Sequence, residues 1–561
     1  MPTLQFKGKN IIWNHHLSVP YHTLEEIEEL SFQPEKSNGN IIVEGDNLLA
    51  LKALLPQYSG KVKCIYIDPP YNTGKEDWVY NDKVNSPLIV EWLGKVVGKD
   101  DLNKHEKWSC MIAPRLKLLR ELLSPEGIIM ISCDDNEHHH LKSIMDEIFG
   151  EINFLGNLIW KNATDNNPTN IAIEHEYIVF YALDKGKIEP VWKSYISSAK
   201  DELITIGEIL TQKHKNQKEL QSAYSEWFRK NKTYLGTLDR YKYIDSGGVY
   251  AGSQSVHNPG KEGYRYDIIH PITLKPCVEP LMGYRFPEIT MKELLESGRI
   301  LFGKDESKII ELKVYAKEYE DKLSSYFELD GRLGAYDLRE IFGNVPFKNP
   351  KPVQLFTYIL PFIVNRNDLI LDSFAGSGTT MHAVMELNKE DSGNRRCIMV
   401  QMLENSPKEP DKNICKDITR ERVKRAIEKY GYDSGFKYLR VGIPIDPESM
   451  LAGTLPTFAQ LADYVYYLAT GENLKVKDQI NPVTGFVGNF GKQAIYLLYQ
   501  QDYERLTKMA LNLQKAEQIH ELSPGMRKIV YAPACFLDEE YMQNRQIEYV
   551  SIPYNLFQRR E

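Results

Sequence analysis

Short apolar runs alternate with amphipathic stretches in two separate parts of the chain. In the first part, Ile41-Ile42-Val43 predicts a strand that stops at Glu44-Gly45-Asp46. Leu48, Leu49, Leu51 and Leu55 follow at helical spacing. Lys63-Cys64-Ile65-Tyr66-Ile67 predicts the next strand, which stops at Asp68-Pro69-Pro70. A long helix over 108–123 is closed by Ser124-Pro125-Glu126-Gly127, and a strand over 128–132 comes after it. A helical stretch over 134–149 and strands over 158–161 and 177–182 complete this part. The alternation returns with a strand at 369–371, a helix at 379–387 and a strand at 397–400, then a basic helix over 419–429. Such order predicts a mainly parallel sheet with helices on its faces.

Three regions lie outside this pattern. Residues 1–39 read as a polar leader with one short acidic helix over 24–30. Residues 185–345 lose the alternation, are rich in Tyr, Gly, Lys and Asn, and read as a loop-rich insertion. In 434–561 the pattern predicts helices over 458–470 and 500–513 and strands over 494–499 and 528–531, but no motif that carries chemistry. The remaining stretches, 40–184 and 346–433, are the two parts of the alternating core.

Composition narrows the function classes. Of 561 residues, 42% are apolar and 26% charged, as in an ordinary globular protein. No apolar run is long enough for a membrane span. The N-terminus lacks the basic-then-apolar layout of a signal peptide, so a cytoplasmic location is expected. The net charge of −8 rules out a chain coated in basic residues, but not a local basic surface. Residues 211–285 hold 12 Lys/Arg against 7 Asp/Glu. Among these charges lie Tyr224, Trp227, Phe228, Tyr234, Tyr241, Tyr243, Tyr250, Tyr264, Tyr266 and Tyr284. Such a segment suits contact with phosphates and bases, and a solvated accessory domain is the alternative. The seven cysteines form no Cys-x-x-Cys pair, so neither structural zinc nor disulfides are expected. His138-His139-His140 point in different directions on a helix, and no metal is expected there.

Two motifs stand at strand ends. Asp68-Pro69-Pro70-Tyr71-Asn72 puts an acid, two rigid prolines and an aromatic after a buried strand. Asp372-Ser373-Phe374-Ala375-Gly376-Ser377-Gly378-Thr379-Thr380 lies between a strand and a helix, where glycines permit a tight turn and close approach of a ligand. The helix start offers free N–H groups to an anion. The motif lacks the Gly-Lys-Ser/Thr of a phosphate-binding loop, which disfavours an ATPase.

Together these motifs resemble the amino-methyltransferases of DNA. Asp-Pro-Pro-Tyr is similar to their adenine-type catalytic motif, and Phe374 to Thr379 to their S-adenosylmethionine motif. The catalytic motif comes first and the cofactor motif 304 positions later, a permuted order that resembles the β class. Glu44 to Asn47, Asp68 to Gly74, Pro114-Arg115-Leu116, Ile131 to Asn136, Glu174 to Tyr177, Asn349 to Pro352 and Gly393 to Arg396 further resemble modification subunits of Type III restriction-modification systems.

The resemblance implies a doubly wound, mainly parallel α/β Rossmann-like methyltransferase sheet, circularly permuted. The catalytic half would be 40–184, the target-recognition insertion 185–345, the cofactor half 346–433, and a smaller α/β assembly or partner domain 434–561. It implies methyl transfer from S-adenosylmethionine to N6 of adenine in double-stranded DNA. Asp68 and the Pro69 carbonyl would accept the two N–H bonds of the adenine amino group, within the rigid Asp68-Pro69-Pro70-Tyr71 turn. Tyr71 would stack on a base flipped from the duplex. Asp46 would meet the cofactor's adenine edge and Phe374 would pack on the cofactor. Asp372, Gly376, Gly378 and Thr379 would line its methionine part, and Lys351-Pro352 would close the pocket. Gln401 stands where many relatives place an acid on the ribose, with Glu404 close by. A homodimer is implied, with or without a separate ATP-dependent restriction subunit. Cytosine-N4 methylation and a non-catalytic DNA-binding specificity subunit are the alternatives.

Overall fold

Ile42, Val43, Cys64, Ile65, Ile67, Ile129, Ile131, Ile370, Leu371, Ile398 and Met399 are all fully buried, although neighbours along a strand face opposite ways. Continuous apolar strands of this kind belong to a sheet covered on both faces. The computed structural model describes residues 3–73, 104–163, 170–194, 198–231, 235–257, 260–320, 322–403, 412–475 and 479–552. Gly74, Tyr234 and Glu404 lie outside the described residues.

The chain divides into two compact units, one of residues 1–190 with 324–561 and one of 191–323. The first holds a ten-stranded sheet. Its strands, in chain order, are β1 (Tyr21–Glu26), β2 (Ile41–Glu44), β3 (Val62–Ile67), β4 (Leu123–Cys133), β5 (Phe154–Lys161), β6 (His175–Ala182), β7 (Tyr326–Glu328), β8 (Leu369–Asp372), β9 (Arg396–Gln401) and β10 (Lys437–Ile445). The spatial order is β1-β10-β2-β9-β8-β3-β4-β6-β5-β7. The six strands from β10 to β4 run parallel. β6 lies antiparallel to β4 and β5, and β1 antiparallel to β10. The expected doubly wound, mainly parallel sheet is therefore present, and it is assembled from both parts of the alternating core.

Several boundaries differ from the sequence reading. The expected acidic helix over 24–30 is instead β1 and a single 3₁₀ turn at Glu28–Leu30. Tyr21 and Thr23 turn inward at period two, and the strand caps the sheet through β10. Residues 3–39 are thus part of the fold. The separation at 434 also moves, because β10 lies between β1 and β2 inside the sheet. Tyr464, Val465 and Tyr467 of the helix Phe458–Thr470 join the same apolar cluster as Leu51, Leu54 and Leu116. The predicted helix over 500–513 is two helices, Tyr503–Leu506 and Leu513–Leu522. Asp502 and Asn512 each accept a backbone N–H at position N3, so the chain starts a helix twice. Beyond them a four-stranded sheet is built from Phe486–Phe490, Gln493–Leu497, Arg527–Ala532 and Ile547–Ser551.

The expected insertion 185–345 is shorter at both ends, since its compact unit spans 191–323 and β7 pairs with β5. It is also more regular than a loop-rich reading allows. Helices Ser198–Lys213 and Gln217–Asn231 accompany a four-stranded sheet. Tyr224, Tyr241 and Tyr284 are fully buried there and build its cores, so the count of aromatics overstated those open to a base. Tyr243 and Tyr264 remain about half exposed, at 47% and 51%.

Removing residues 434–561 would expose the apolar cluster that the helix Phe458–Thr470 covers and the backbone edge of β2. A chain truncated after Asp433 should lose cooperative thermal unfolding or precipitate. A cooperative melt close to that of the full chain would show that β10 is dispensable.

Candidate active site

The pairing of β8 with β3 matches Ile370 to Cys64, Leu371 to Ile65 and Asp372 to Tyr66. Both motifs therefore leave the sheet at the carboxyl ends of neighbouring parallel strands, where ligands of open α/β sheets bind. β9 ends beside them at Gln401 and β2 at Glu44, so Asp46 belongs to the same rim.

The turn after β3 is held from several sides. Trp108, fully buried, donates its Nε1–H to the Pro70 carbonyl at 2.7 Å. The Tyr71 hydroxyl lies 2.9 Å from Asp68 Oδ1 and 2.9 Å from Glu176 Oε2. Lys351 Nζ lies 2.8 Å from that hydroxyl, 3.1 Å from Asp68 Oδ2 and 3.1 Å from Glu176 Oε2. One ammonium thus serves two carboxylates, leaving an excess negative charge in a largely enclosed place. Burial and the Glu176 charge push the Asp68 carboxyl above its usual range, against the pull of Lys351. Burial opposes the charge on Lys351, but Asp68 and Glu176 outweigh it and raise its affinity for the proton. Burial and the same two carboxylates drive the Tyr71 phenol well upward, so it stays protonated.

The turn after β8 is shaped by its own side chains. Asp372 accepts from the Phe374 N–H at 3.0 Å and from the Thr380 hydroxyl at 2.6 Å. Burial, with Asp68 as a smaller cause, lifts its carboxyl to about 7. Gly376 (φ 50) and Gly378 (φ 81) take the left-handed backbone that a Cβ disfavours. A Cβ on Gly378 would also stand 2.9 Å from the Thr419 carbonyl. The Gly376 N–H donates to Gln401 Oε1 at 2.7 Å, and the Thr419 hydroxyl donates to the Gly376 carbonyl at 2.6 Å. Arg422, fully buried, donates to the Ser377 and Thr379 hydroxyls at 2.8 and 2.6 Å.

These contacts sort the residues expected from sequence. Asp68, Tyr71 and Lys351 come together. Lys351 was expected at the cofactor, yet its ammonium belongs to the acid cluster and only its carbonyl meets that loop, accepting from the Thr379 hydroxyl at 3.0 Å. Both Asp372 oxygens are used within the turn, and the Gln401 amide braces Gly376. Asp46 caps the helix Asn47–Tyr58, accepting from the Leu48 N–H at 2.8 Å, and its side chain stays 28% exposed. Phe374 is buried at the same rim.

Three residues of this region escaped the sequence reading as site residues. Glu176 lies on an antiparallel strand, and only its place within Glu174 to Tyr177 hinted at a role. Asn47 donates to the Ser373 carbonyl at 3.1 Å and accepts from Arg115 Nε at 2.5 Å, which joins the rim of β2 to the glycine turn. Arg115 itself has no exposure.

A family model for DNA methylases matches residues 62–441. The chain belongs to the DNA methylase family. It is 47% identical over 442 residues to the EcoP15I Mod subunit of Escherichia coli, a Type III restriction-modification enzyme, with 75% of this chain and 68% of that protein covered. Identity to the StyLTI Mod subunit of Salmonella typhimurium is 32%, covering 75% and 63% of the two chains. For the EcoPI Mod subunit of Escherichia phage P1 it is 29%, covering 68% and 61%. The aligned part thus spans roughly two thirds of these relatives' length, at 68%, 63% and 61%.

The glycine turn gives a direct test of this methylase site. Gly378→Ala adds a methyl group against Thr419 at an unfavourable φ and should cost about 1–3 kcal/mol of stability. Thermal denaturation should show a lowered midpoint, and an unchanged midpoint would contradict the strain assigned to this turn.

Proposed function

We propose that this DNA methylase transfers a methyl group from S-adenosylmethionine to N6 of adenine in double-stranded DNA, as the modification component of a restriction-modification system. One observation carries the reading. The acid-Pro-Pro-Tyr turn and the glycine turn end adjacent parallel strands, and Lys351 touches both.

The glycine turn fits that cofactor. The buried Ser373 hydroxyl at the start of that turn has no partner among the described residues, which leaves a polar atom free for the ligand. Phe374, Gly376, Gly378 and Thr379 would hold the cofactor, with Asp46 at the adenine end. When bound it supplies an electrophilic methyl group. Asp372, Asn47 and Arg422 act as positioning residues that fix the turn. Gln401 braces the loop with its amide oxygen.

The adenine amino nitrogen is a poor nucleophile because its lone pair is delocalised into the ring. Asp68 accepts one of its N–H bonds, stabilises the positive charge that grows on nitrogen during attack, and would then take the proton that the methylated nitrogen loses and pass it to solvent. The Pro69 carbonyl accepts the other, since the Pro70 carbonyl is already engaged by Trp108. Tyr71 offers its ring to the extruded base. In the substrate-free site the Asp68 oxygens hold Tyr71 and Lys351, so the amino group must replace one of those contacts. Lys351 keeps its charge and limits the excess negative charge of the two acids. Alignment of nitrogen, methyl carbon and sulfur supplies the rest as a proximity effect.

Residues 191–323 are the target-recognition unit in this reading. The chain acts as a homodimer, with or without an ATP-dependent restriction subunit. Among the described residues no helix is long and apolar enough to cross a membrane.

Asp68→Ala should reduce the single-turnover rate by about 10²–10³-fold or more while cofactor affinity stays within a few-fold. Near-normal turnover would contradict the assignment. The two carboxylates also set a pH dependence. Asp68 must be ionised, so the rate falls as pH drops through its raised pKa. Glu176→Gln removes the neighbouring negative charge, lets Asp68 ionise more easily, and should move the acid limb of the rate profile to lower pH. An acid limb that stays in place would separate Glu176 from Asp68. Light scattering at micromolar concentration should give the mass of a dimer, and a monomer would contradict that part.

A further inference from the structure

Beside the catalytic turn lies a second cluster that methyl transfer does not use. Glu137, whose side chain is only 1% exposed, precedes the helix His138–Phe149. Its Oε1 lies 2.8 Å from His105 Nδ1, and its Oε2 lies 2.9 Å from His140 Nδ1. One ligand atom from each of the three residues falls within 4.8 Å of the other two. The imidazoles are partly open, at 34% for His105 and 22% for His140.

A carboxylate this deeply buried requires a compensating charge. Among the described residues its polar partners are the two imidazoles and the Asn72 amide, with no lysine or arginine. Asn72 is itself fully buried, and its Oδ1 has no partner among the described residues. An unsatisfied buried amide oxygen on a residue that touches Glu137 is a second polar group left open beside the cluster.

We propose that His105, Glu137 and His140 bind a divalent transition-metal ion of the zinc type. Two imidazoles and one carboxylate suit zinc, whose nitrogen and oxygen bonds of about 2.0–2.2 Å place ligand atoms roughly 3 Å apart. Imidazoles disfavour magnesium and calcium, which take oxygen ligands. The Asn72 amide donates to a Glu137 oxygen, as groups around a metal commonly orient its carboxylate ligands. The ligands come from the start of the helix Lys104–Leu122 and from the first turn of the helix His138–Phe149. Asn72 follows Tyr71 directly and has a left-handed backbone at φ 60. The ion therefore ties the end of the catalytic turn to two helices, as a tether that takes no part in methyl transfer. The sequence reading expected no metal because it weighed the histidine run alone. Only His140 of that run serves here. The His138 ring stacks on Tyr177 at 4.3 Å and the His139 ring packs on His140 at 3.9 Å.

The full-length chain, stripped with a chelator, should take up one equivalent of Zn²⁺ in a calorimetric titration. Cobalt(II) in its place should give visible ligand-field absorption. His140→Ala and Glu137→Gln should each weaken zinc binding by at least about 10–100-fold. His139→Ala, which leaves the ligands in place, should bind as the wild type does. Circular dichroism shows whether each variant is folded. If Glu137→Gln does not fold, the part-exposed His140 remains the test. No zinc uptake by the folded wild type, or equal uptake by His140→Ala, would overturn the proposal.

Discussion

The parallel pairing of Val62–Ile67 with Leu369–Asp372 is the constraint on which the rest of the structure depends. Neither motif is a site alone. Asp68-Pro69-Pro70-Tyr71 lacks a ligand-binding turn, and the glycine turn lacks an acid that can face an amine. The pairing of Ile370 with Cys64 sets both at one sheet end. Lys351 then spans them, with its carbonyl on Thr379 and its ammonium between Asp68 and Glu176. A slip of one residue in that pairing would send side chains to the opposite covered face and move the two turns apart by about 3.3 Å.

Electrostatics divide the labour among four acids in this region. Asp68 and Glu176 share one ammonium, and burial together with the Glu176 charge makes Asp68 hold a proton more readily than a lone carboxylate would. Asp372 spends both oxygens on its own turn, and burial lifts its carboxyl to about 7. Glu137 faces histidines rather than lysine. Position at the sheet's carboxyl edge is common to them. Under the proposed function, their partners decide that one would meet substrate, one would moderate it, one shapes the backbone and one would anchor the turn.

Most of the sheet was legible because its signals are local. An apolar run, a polar break and an amphipathic stretch give β2, β3, β8 and β9 within a residue or two. The motifs could be placed at strand ends for the same reason. What stayed hidden depends on distant partners. β1 and β10 pair with each other across more than 400 positions, and neither reads as a core strand alone. Glu176 matters only because Lys351, 175 positions away, points at it. The aromatics of 191–323 looked like a binding surface in sequence, whereas Tyr224, Tyr241 and Tyr284 are core. Composition counts residue types and cannot say which of them face inward.

Transfer of a labelled methyl group from S-adenosylmethionine to unmethylated double-stranded DNA, followed by digestion to nucleosides and chromatography, tests the paired turns most directly. Label in N6-methyladenine is the expected result. Label in N4-methylcytosine would keep the fold and the paired turns but contradict the choice of base. No label, from folded protein that binds the cofactor, would contradict the claim that these two turns form a working centre.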